Sequence, residues 1–190
     1  MTGKGHFATG VVFSLFAFEY TSNIGGTGFI SAIFCVLGAN APDYLEIRKK
    51  VYNDIKNPKR CTGTKTKIPH RTITHWLPLW IMLFVFSMHN VNPNILNIPF
   101  IDNIIIKNFD NNIANYIYSG LLGFSMGGLI HLLTDIPNPM GIPILTPKKR
   151  FSLNLWKSGK MEPLIVCCFI IFTLNYIGVI SLNSEIFDKF

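Results

Sequence analysis

Five apolar runs are the feature that most limits what this chain can fold into. They lie at about residues 6–22, 27–41, 69–88, 117–135 and 162–182. Of the 190 residues, 49 % are hydrophobic and only 14 % are charged, whereas a soluble domain carries roughly a quarter charged residues. The sequence therefore predicts an all-α membrane protein with about five transmembrane helices, built as a single polytopic domain over residues 1–190.

Prolines set two of the predicted helix ends. The second helix is expected to end at Pro42, because the residue before a proline is pushed out of helical geometry. The third helix is expected to begin near Pro69, since proline fits the first turn of a helix. The first run has the length of a signal-peptide core, but no small-residue cleavage site follows it, so we predict a retained helix.

Lysine and arginine are distributed very unevenly along the chain. Fifteen of the seventeen fall at the N-terminus or in two loops, at about 43–69 and 136–161, when Arg71 is counted with the first loop. Because basic loops stay on the cytoplasmic side, both loops and the N-terminus are predicted to be cytoplasmic and the C-terminus outside. The net charge of +7 is therefore explained first by membrane topology. No nucleic-acid partner is expected.

Histidines and acidic residues collect at the predicted cytoplasmic ends of the first four helices. They are His6, Asp43, Glu46, His70, His75, His131 and Asp135. A single histidine at a membrane interface is more often structural, but four helices that place such residues at one face favour a metal site. His89 and Glu19 are predicted near the other face and are expected to lie outside it.

The spacing of these residues supports one pair and leaves another open. His131 and Asp135 are four apart, so both side chains lie on one face of a helix. His70 and His75 are five apart, which is about 140° of rotation on an ideal helix. Either the start of this helix is irregular, or the two histidines serve different cations.

Small residues form stripes on two of the helices. They are Gly120, Gly123 and Gly127 in the fourth helix, and Gly28, Ala32, Cys35 and Ala39 in the second. Small residues let helix backbones approach closely inside a membrane. The stripes therefore predict tight packing that brings the ends of the helices together.

Common catalytic motifs are absent from the sequence, and this absence reduces the number of reaction types to consider. There is no HExxH, no GxxxxGK[ST] loop and no GxSxG. A bound cation could still activate water and polarise an ester, with Glu46 as the candidate base and Arg71 as a second catalytic residue. An alternative for Arg71 is a simple anchor at the membrane interface.

Basic and amide side chains near the same face predict an anionic substrate. The candidates for substrate binding are Arg71, Asn138, Lys148, Lys149 and Arg150. Lysine and arginine bind phosphate groups well at a membrane surface. The expected partners are therefore membrane lipids and an amphiphilic anionic substrate.

Five blocks of sequence between residues 6 and 150 resemble the YdjM-like family of inner-membrane proteins that are labelled metal-dependent hydrolases. The blocks are His6 with Gly10, residues 38–46, residues 70–76, residues 131–135 and residues 141–147. The resemblance implies a multi-spanning helical protein of the cell inner membrane with a metal site. By position, the resemblance assigns metal binding to His6, Asp43, His70, His75, His131 and Asp135. Many members have Asp where this chain has Leu45, and Thr where it has Asn138.

The predicted function is membrane-embedded metal-dependent hydrolysis of a phosphoester or other ester bond in a lipid-like substrate, at the cytoplasmic face. The predicted cofactor is one or two divalent ions, with zinc favoured over manganese or iron. A second hypothesis is a non-catalytic membrane protein with a structural or regulatory metal, which needs a closed shell of ligands. A small transporter ranks lowest, because the middle of the predicted spans carries no charge.

Overall fold

The structure, a computed structural model, describes residues 1–24, 26–46, 48–51, 63–66, 72–92, 111–147, 149–157 and 159–179. Within these ranges lie five α-helices: α1 Gly3–Ser22, α2 Gly28–Tyr44, α3 Leu77–Val91, α4 Asn111–Asp135 and α5 Glu162–Tyr176. Two short antiparallel strand pairs accompany them: β1 Arg48–Val51 with β2 Gly63–Thr66, and β3 Ile142–Pro143 with β4 Arg150–Phe151. The predicted all-α class with five helices is confirmed, with the strand pairs as additions in the loops.

The second helix continues past the residue at which it was expected to end. α2 contains Pro42 and runs on to Tyr44, so the prediction of an end at the proline is wrong. A proline removes only one backbone donor, and the N–H of Leu45 still bonds to the carbonyl of Ala41 at 2.9 Å. The last turn of α2 therefore carries Asp43, which fixes the direction in which its carboxylate points.

The third helix begins later than predicted. Residues 73–75 form a 3-10 turn, Trp76 is extended, and α3 starts at Leu77. Pro78 occupies the first turn of the α-helix, and Pro69 lies outside the described residues.

The 3-10 turn is held against α3 by a buried indole. The Nε1–H of Trp80 donates to the carbonyl of Thr74 at 2.8 Å. This turn carries His75, so of the two alternatives left by the histidine spacing, the irregular start is the one seen in residues 72–76. His70 lies outside the described residues.

The remaining helix ends differ by a few residues from the prediction. α1 begins at Gly3, where the hydroxyl of Thr2 accepts from the N–H of Gly5 at 3.3 Å. α4 begins at Asn111, six residues before the predicted start. α5 ends at Tyr176 rather than near 182, and Gly178, two residues later, takes a positive φ of 79°.

Close contact between α2 and α4 forms the centre of the bundle. A Cβ placed on Gly123 would lie 2.0 Å from the carbonyl oxygen of Ser31, and one on Gly127 would lie 2.0 Å from that of Cys35. No side chain larger than hydrogen fits such gaps. The predicted packing role of the small-residue stripes is confirmed at these two positions.

Successive helices from α1 to α4 run in opposite directions, so the start of α1 and the end of α2 lie at the same end of the bundle. Thr2, just before α1, donates from its hydroxyl to Glu162 at the start of α5, at 2.7 Å. At the other end of these helices the rings of Phe16 and Tyr176 are 4.2 Å apart. We call the end that holds the starts of α1, α3 and α5 and the ends of α2 and α4 the site end.

The bundle is apolar outside and partly polar inside. Phe29 and Ile33 are 73 % and 59 % exposed, whereas Ser31, Ser87 and Ser125 are fully buried. This polarity is the reverse of a soluble domain and suits a lipid environment.

Within the described ranges, one helix, Asn112–Asp135 of α4, is long and apolar enough to cross a membrane. α3 and α5 are apolar but shorter. Five spans and their orientation stay predictions.

Candidate metal centre

Histidine and aspartate side chains from four parts of the chain meet at the site end. α1 contributes its fourth residue, α2 its last turn, the 3-10 turn its final residue, and α4 its last two turns. The residues are His6, Asp43, His75, His131 and Asp135. We call these five residues the His/Asp cluster. The structure brings together every predicted ligand that falls within the described residues.

The donor atoms of the His/Asp cluster are spaced as the ligands of a single cation would be. The Nε2 of His75 lies 3.2 Å from the Nε2 of His131 and 3.5 Å from the Oδ1 of Asp43. The Nε2 of His131 lies 3.9 Å from the Oδ2 of Asp135. Ligands held about 2.0–2.1 Å from a tetrahedral zinc are roughly 3.3–3.5 Å apart, so small shifts would close these atoms on an ion.

Several overlapping groups of acidic residues and histidines at this site could each hold a cation. Three triplets have donor atoms that all lie within 4.8 Å of one another: His6, Asp43 and His131; His75, His131 and Asp135; and Asp43, Glu46 and His75. The triplets share members, so the arrangement could hold one ion, or two ions with ligands in common.

His131 is oriented from behind by the backbone of α2. Its Nδ1 lies 2.7 Å from the carbonyl oxygen of Ala39, and a carbonyl can only accept. Nδ1 therefore carries the proton, and the lone pair of a neutral ring is on Nε2, which faces the other donors. The ring is fully buried.

His6 is fixed in the same tautomer by a threonine of α4. The Thr134 hydroxyl donates to the carbonyl of His131 at 2.9 Å, so its oxygen accepts from the Nδ1–H of His6 at 3.2 Å. The Nε2 of His6 then faces the Oδ1 of Asp135 at 3.4 Å. The rings of His6 and His131 stack with centroids 3.7 Å apart.

His75 has a hydroxyl and a carboxylate beside its Nδ1. The Thr74 hydroxyl lies 3.1 Å from this nitrogen and the Oε1 of Glu46 lies 3.5 Å from it. A carboxylate at this position attracts the proton to Nδ1 and leaves Nε2 as the electron donor. The side chain of Glu46 is itself buried, and its predicted role as a base stays a prediction.

Asp135 is held by several donors. The amide nitrogen of Asn138 donates to its Oδ1 at 2.7 Å, and the backbone nitrogen of Met1 also contacts this atom. Asn138 is 1 % exposed, so its amide is placed to orient the carboxylate. The predicted contact of Asn138 with a substrate stays a prediction.

The basic residues predicted to bind a substrate are only partly described. Lys149 and Arg150 are exposed and lie in and beside β4. Arg71 and Lys148 lie outside the described residues. Lys4, which was not singled out from the sequence, is exposed in the first turn of α1, at the site end.

A cavity of about 360 Å³ opens beside the His/Asp cluster. It is lined by Gly3, Asn40, Asp43, Tyr44 and Glu46. A molecule in this cavity would touch the Asp43 carboxylate of the cluster and the Glu46 carboxylate beside His75. The cavity therefore opens onto the side of the cluster that carries these two acidic residues.

Thr74 and Thr134 are the site residues that are hardest to find from sequence. Thr134 stands three residues after His131, one turn along the same face of a helix, and this spacing is the only signal for its contact with His6. The contact of Thr74 depends on the 3-10 turn, which apolar periodicity does not reveal.

Comparison with known proteins supports the membrane assignment. No curated protein and no solved structure matches the chain. The family profile described as YdjM inner membrane protein matches residues 1–186, nearly the whole sequence. The chain therefore belongs to the YdjM inner membrane protein family.

Proposed function

We propose that this protein is a membrane-embedded metal-dependent hydrolase that cleaves a phosphoester or other ester bond of a lipid-like substrate at the cytoplasmic face. One observation carries the proposal. Three buried histidines each present Nε2 to a shared space with two aspartates, and an oxygen acceptor lies beside each Nδ1: the carbonyl of Ala39, the hydroxyl of Thr134 and the carboxylate of Glu46. Tautomers fixed in this way are typical of metal-binding histidines.

The donor set suits a divalent cation. Neutral imidazoles and carboxylates bind zinc, manganese and iron, and several nitrogen donors with short spacing favour zinc. We propose that His6, Asp43, His75, His131 and Asp135, together with His70, supply the ligands of one or two ions. When bound, such an ion lowers the pKa of water and polarises an ester or phosphoryl oxygen.

The residues around the cavity have complementary tasks in this proposal. Glu46 lines the cavity, and in this proposal its carboxylate accepts a proton from a molecule there. Arg71, Lys148, Lys149 and Arg150 neutralise the charge of an anionic head group. The basic loops at the site end support a cytoplasmic position for the reaction.

The test combines metal content with turnover in purified full-length protein. Wild type, His131→Ala and His89→Ala are compared by elemental analysis and by hydrolysis of phospholipids and lipid phosphates after loading with zinc, manganese or iron. His89 is the matched control, because it is also a buried histidine but lies in the last turn of α3. We expect metal and turnover to be lost in His131→Ala and kept in His89→Ala. Turnover that is equal in all three proteins contradicts the proposal.

A structural or regulatory metal is the second candidate. It is favoured by the depth of the cluster, because His6, His75 and His131 are each at most 1 % exposed and a closed ligand shell leaves no position for a substrate. Stoichiometric metal that depends on His131, with no hydrolysis of any ester offered, would support this candidate over the hydrolase.

A further inference from the structure

A second cavity adjoins the one beside the His/Asp cluster. Its volume is about 490 Å³, and the two cavities share Gly3, Asn40 and Tyr44 in their linings. They therefore lie side by side and together make a groove along α1 and α2. We call it the α1–α2 groove.

The lining of the α1–α2 groove changes from charged to apolar along its length. The end beside the cluster has the carboxylates of Asp43 and Glu46. The other end is lined by Phe7, Val36 and Leu37. A molecule that fills the whole groove must have one polar end and one apolar end.

Charge and exposure indicate where such a molecule comes from. Lys4 lines the second cavity, next to the Gly3 that both cavities share, and it is the one cation among the described residues that line the two cavities. Phe7 and Leu37 are 53 % and 55 % exposed, so in an inner membrane protein the apolar end faces bilayer lipid. The groove is therefore open sideways to the membrane and marked by a positive charge where a phosphate would lie.

We infer that the α1–α2 groove binds one acyl chain of a membrane phospholipid along Phe7 and Leu37, with the ester groups beside Asn40 and the phosphate between Lys4 and Asp43. The inference rests on the proposed function in taking this lipid to be the substrate. It adds a route from the bilayer and a site that selects for an acyl chain. From Val36 to Tyr44 the groove follows α2 for about 12 Å at 1.5 Å per residue, so it holds the first part of a chain and not all of it.

Another apolar cavity shows what the α1–α2 groove has in addition. A cavity of about 500 Å³ between α2 and α4 is lined by apolar side chains such as Ile30, Phe34 and Ile117, and no member of the His/Asp cluster lines it. Lipid there would be held by its tails alone. Continuity with the cluster and the presence of Lys4 single out the α1–α2 groove.

Photolabelling tests the inference without needing turnover. Full-length protein in nanodiscs receives phosphatidylglycerol that carries a diazirine on one acyl chain near the ester, and labelled peptides are identified by mass spectrometry. We expect saturable labelling of Phe7 and of residues 36–37, competed by unlabelled phosphatidylglycerol but not by glycerol phosphate. Leu37→Trp, which fills the groove, should reduce this labelling at least about fivefold, since each methylene excluded from an apolar site weakens binding roughly fourfold.

The matched control is Ile33→Trp. Ile33 lies one turn from Leu37 on α2, is 59 % exposed, and is not part of the groove lining; its substitution should leave the labelling within about twofold of wild type. Labelling that never saturates, or that is equal at residues 33 and 37, means ordinary boundary lipid and overturns the inference.

The two proposals can fail separately. Saturable labelling of the groove in a protein that hydrolyses no lipid would support the acyl-chain site and contradict the proposed hydrolase activity. If Leu37→Trp hydrolyses phospholipid at the wild-type rate, the hydrolase proposal is supported and the acyl-chain site is contradicted.

Discussion

Each histidine of the His/Asp cluster has a polar neighbour at its Nδ1. The carbonyl of Ala39 and the hydroxyls of Thr134 and Thr74 stand at the three Nδ1 atoms. Because an imidazole in the other tautomer would direct a proton instead of a lone pair into the shared space, these contacts decide whether the histidines can act as metal ligands.

Glu46→Gln tests this support at His75. Glutamine keeps the size of the side chain but removes the negative charge that draws a proton to Nδ1. We expect the affinity for zinc to fall about 10-fold or more, measured by competition with a chromophoric chelator. If Glu46 acts only as a base, the affinity will stay constant while kcat falls.

Glu19→Gln is the control for that measurement. Glu19 is an exposed acid near the far end of α1, so the same change of charge there should leave zinc affinity within about twofold. A fall in both variants would mean a general electrostatic effect and would contradict a specific role for Glu46.

The candidate ligands could be predicted from the sequence more readily than the residues that orient them. His131 and Asp135 are recognisable because helical spacing fixes their common face. The contact of Glu46 with His75 could not be predicted, because it depends on a helix that continues through Pro42 and on a 3-10 turn before α3. Both features break the local rules that sequence prediction relies on.

At the scale of elements, the close packing of α2 on α4 sets the geometry of the site. Ala39 of α2 and His131 of α4 touch directly, so any shift between the helices would move the ring away from its acceptor. The glycines were recognisable from their stripe, since only small residues allow such contact. Helix ends were less predictable, because tertiary contacts outweigh the effect of a single proline.

Gly123→Ala should therefore be strongly destabilising. The new methyl would lie 2.0 Å from the Ser31 carbonyl oxygen, and backbone cannot move aside as a flexible side chain can. We expect a loss of about 1–3 kcal/mol or more in the free energy of unfolding, measured by denaturation in detergent micelles, with weaker zinc binding as a consequence.

Gly120→Ala is the matched variant, one turn earlier on the same helix. Its methyl would meet the Cγ2 of Ile30 at 3.2 Å, a side-chain atom that can shift, and alanine favours the helix by up to about 1 kcal/mol. We expect a change near zero. Equal losses in the two variants would show that the α2–α4 contact is not as close as described.

In the whole molecule, successive helices run in opposite directions. If one end of the bundle lies on one side of the membrane, the other end therefore lies on the opposite side. The site end carries Lys4, Lys149 and Lys157, whereas the turn between α1 and α2 at the opposite end carries no lysine or arginine. Because positive charge is retained on the cytoplasmic side, we predict that the site end faces the cytoplasm. The sequence predicts this orientation from charge alone, and the structure adds which residues share an end.

Cysteine accessibility in intact cells measures that orientation. In a variant without native cysteines, Asn23→Cys should react with a membrane-impermeant maleimide added outside, because Asn23 is exposed in the turn after α1. Lys149→Cys should react only after the cells are opened, since it is exposed at the site end. The reverse pattern would put the His/Asp cluster on the outer face, where a substrate from the outer leaflet or the periplasm would reach it instead. Reaction of both cysteines in intact cells would mean that the turn after α1 and the loop after α4 do not lie on opposite sides, which the alternating bundle does not allow.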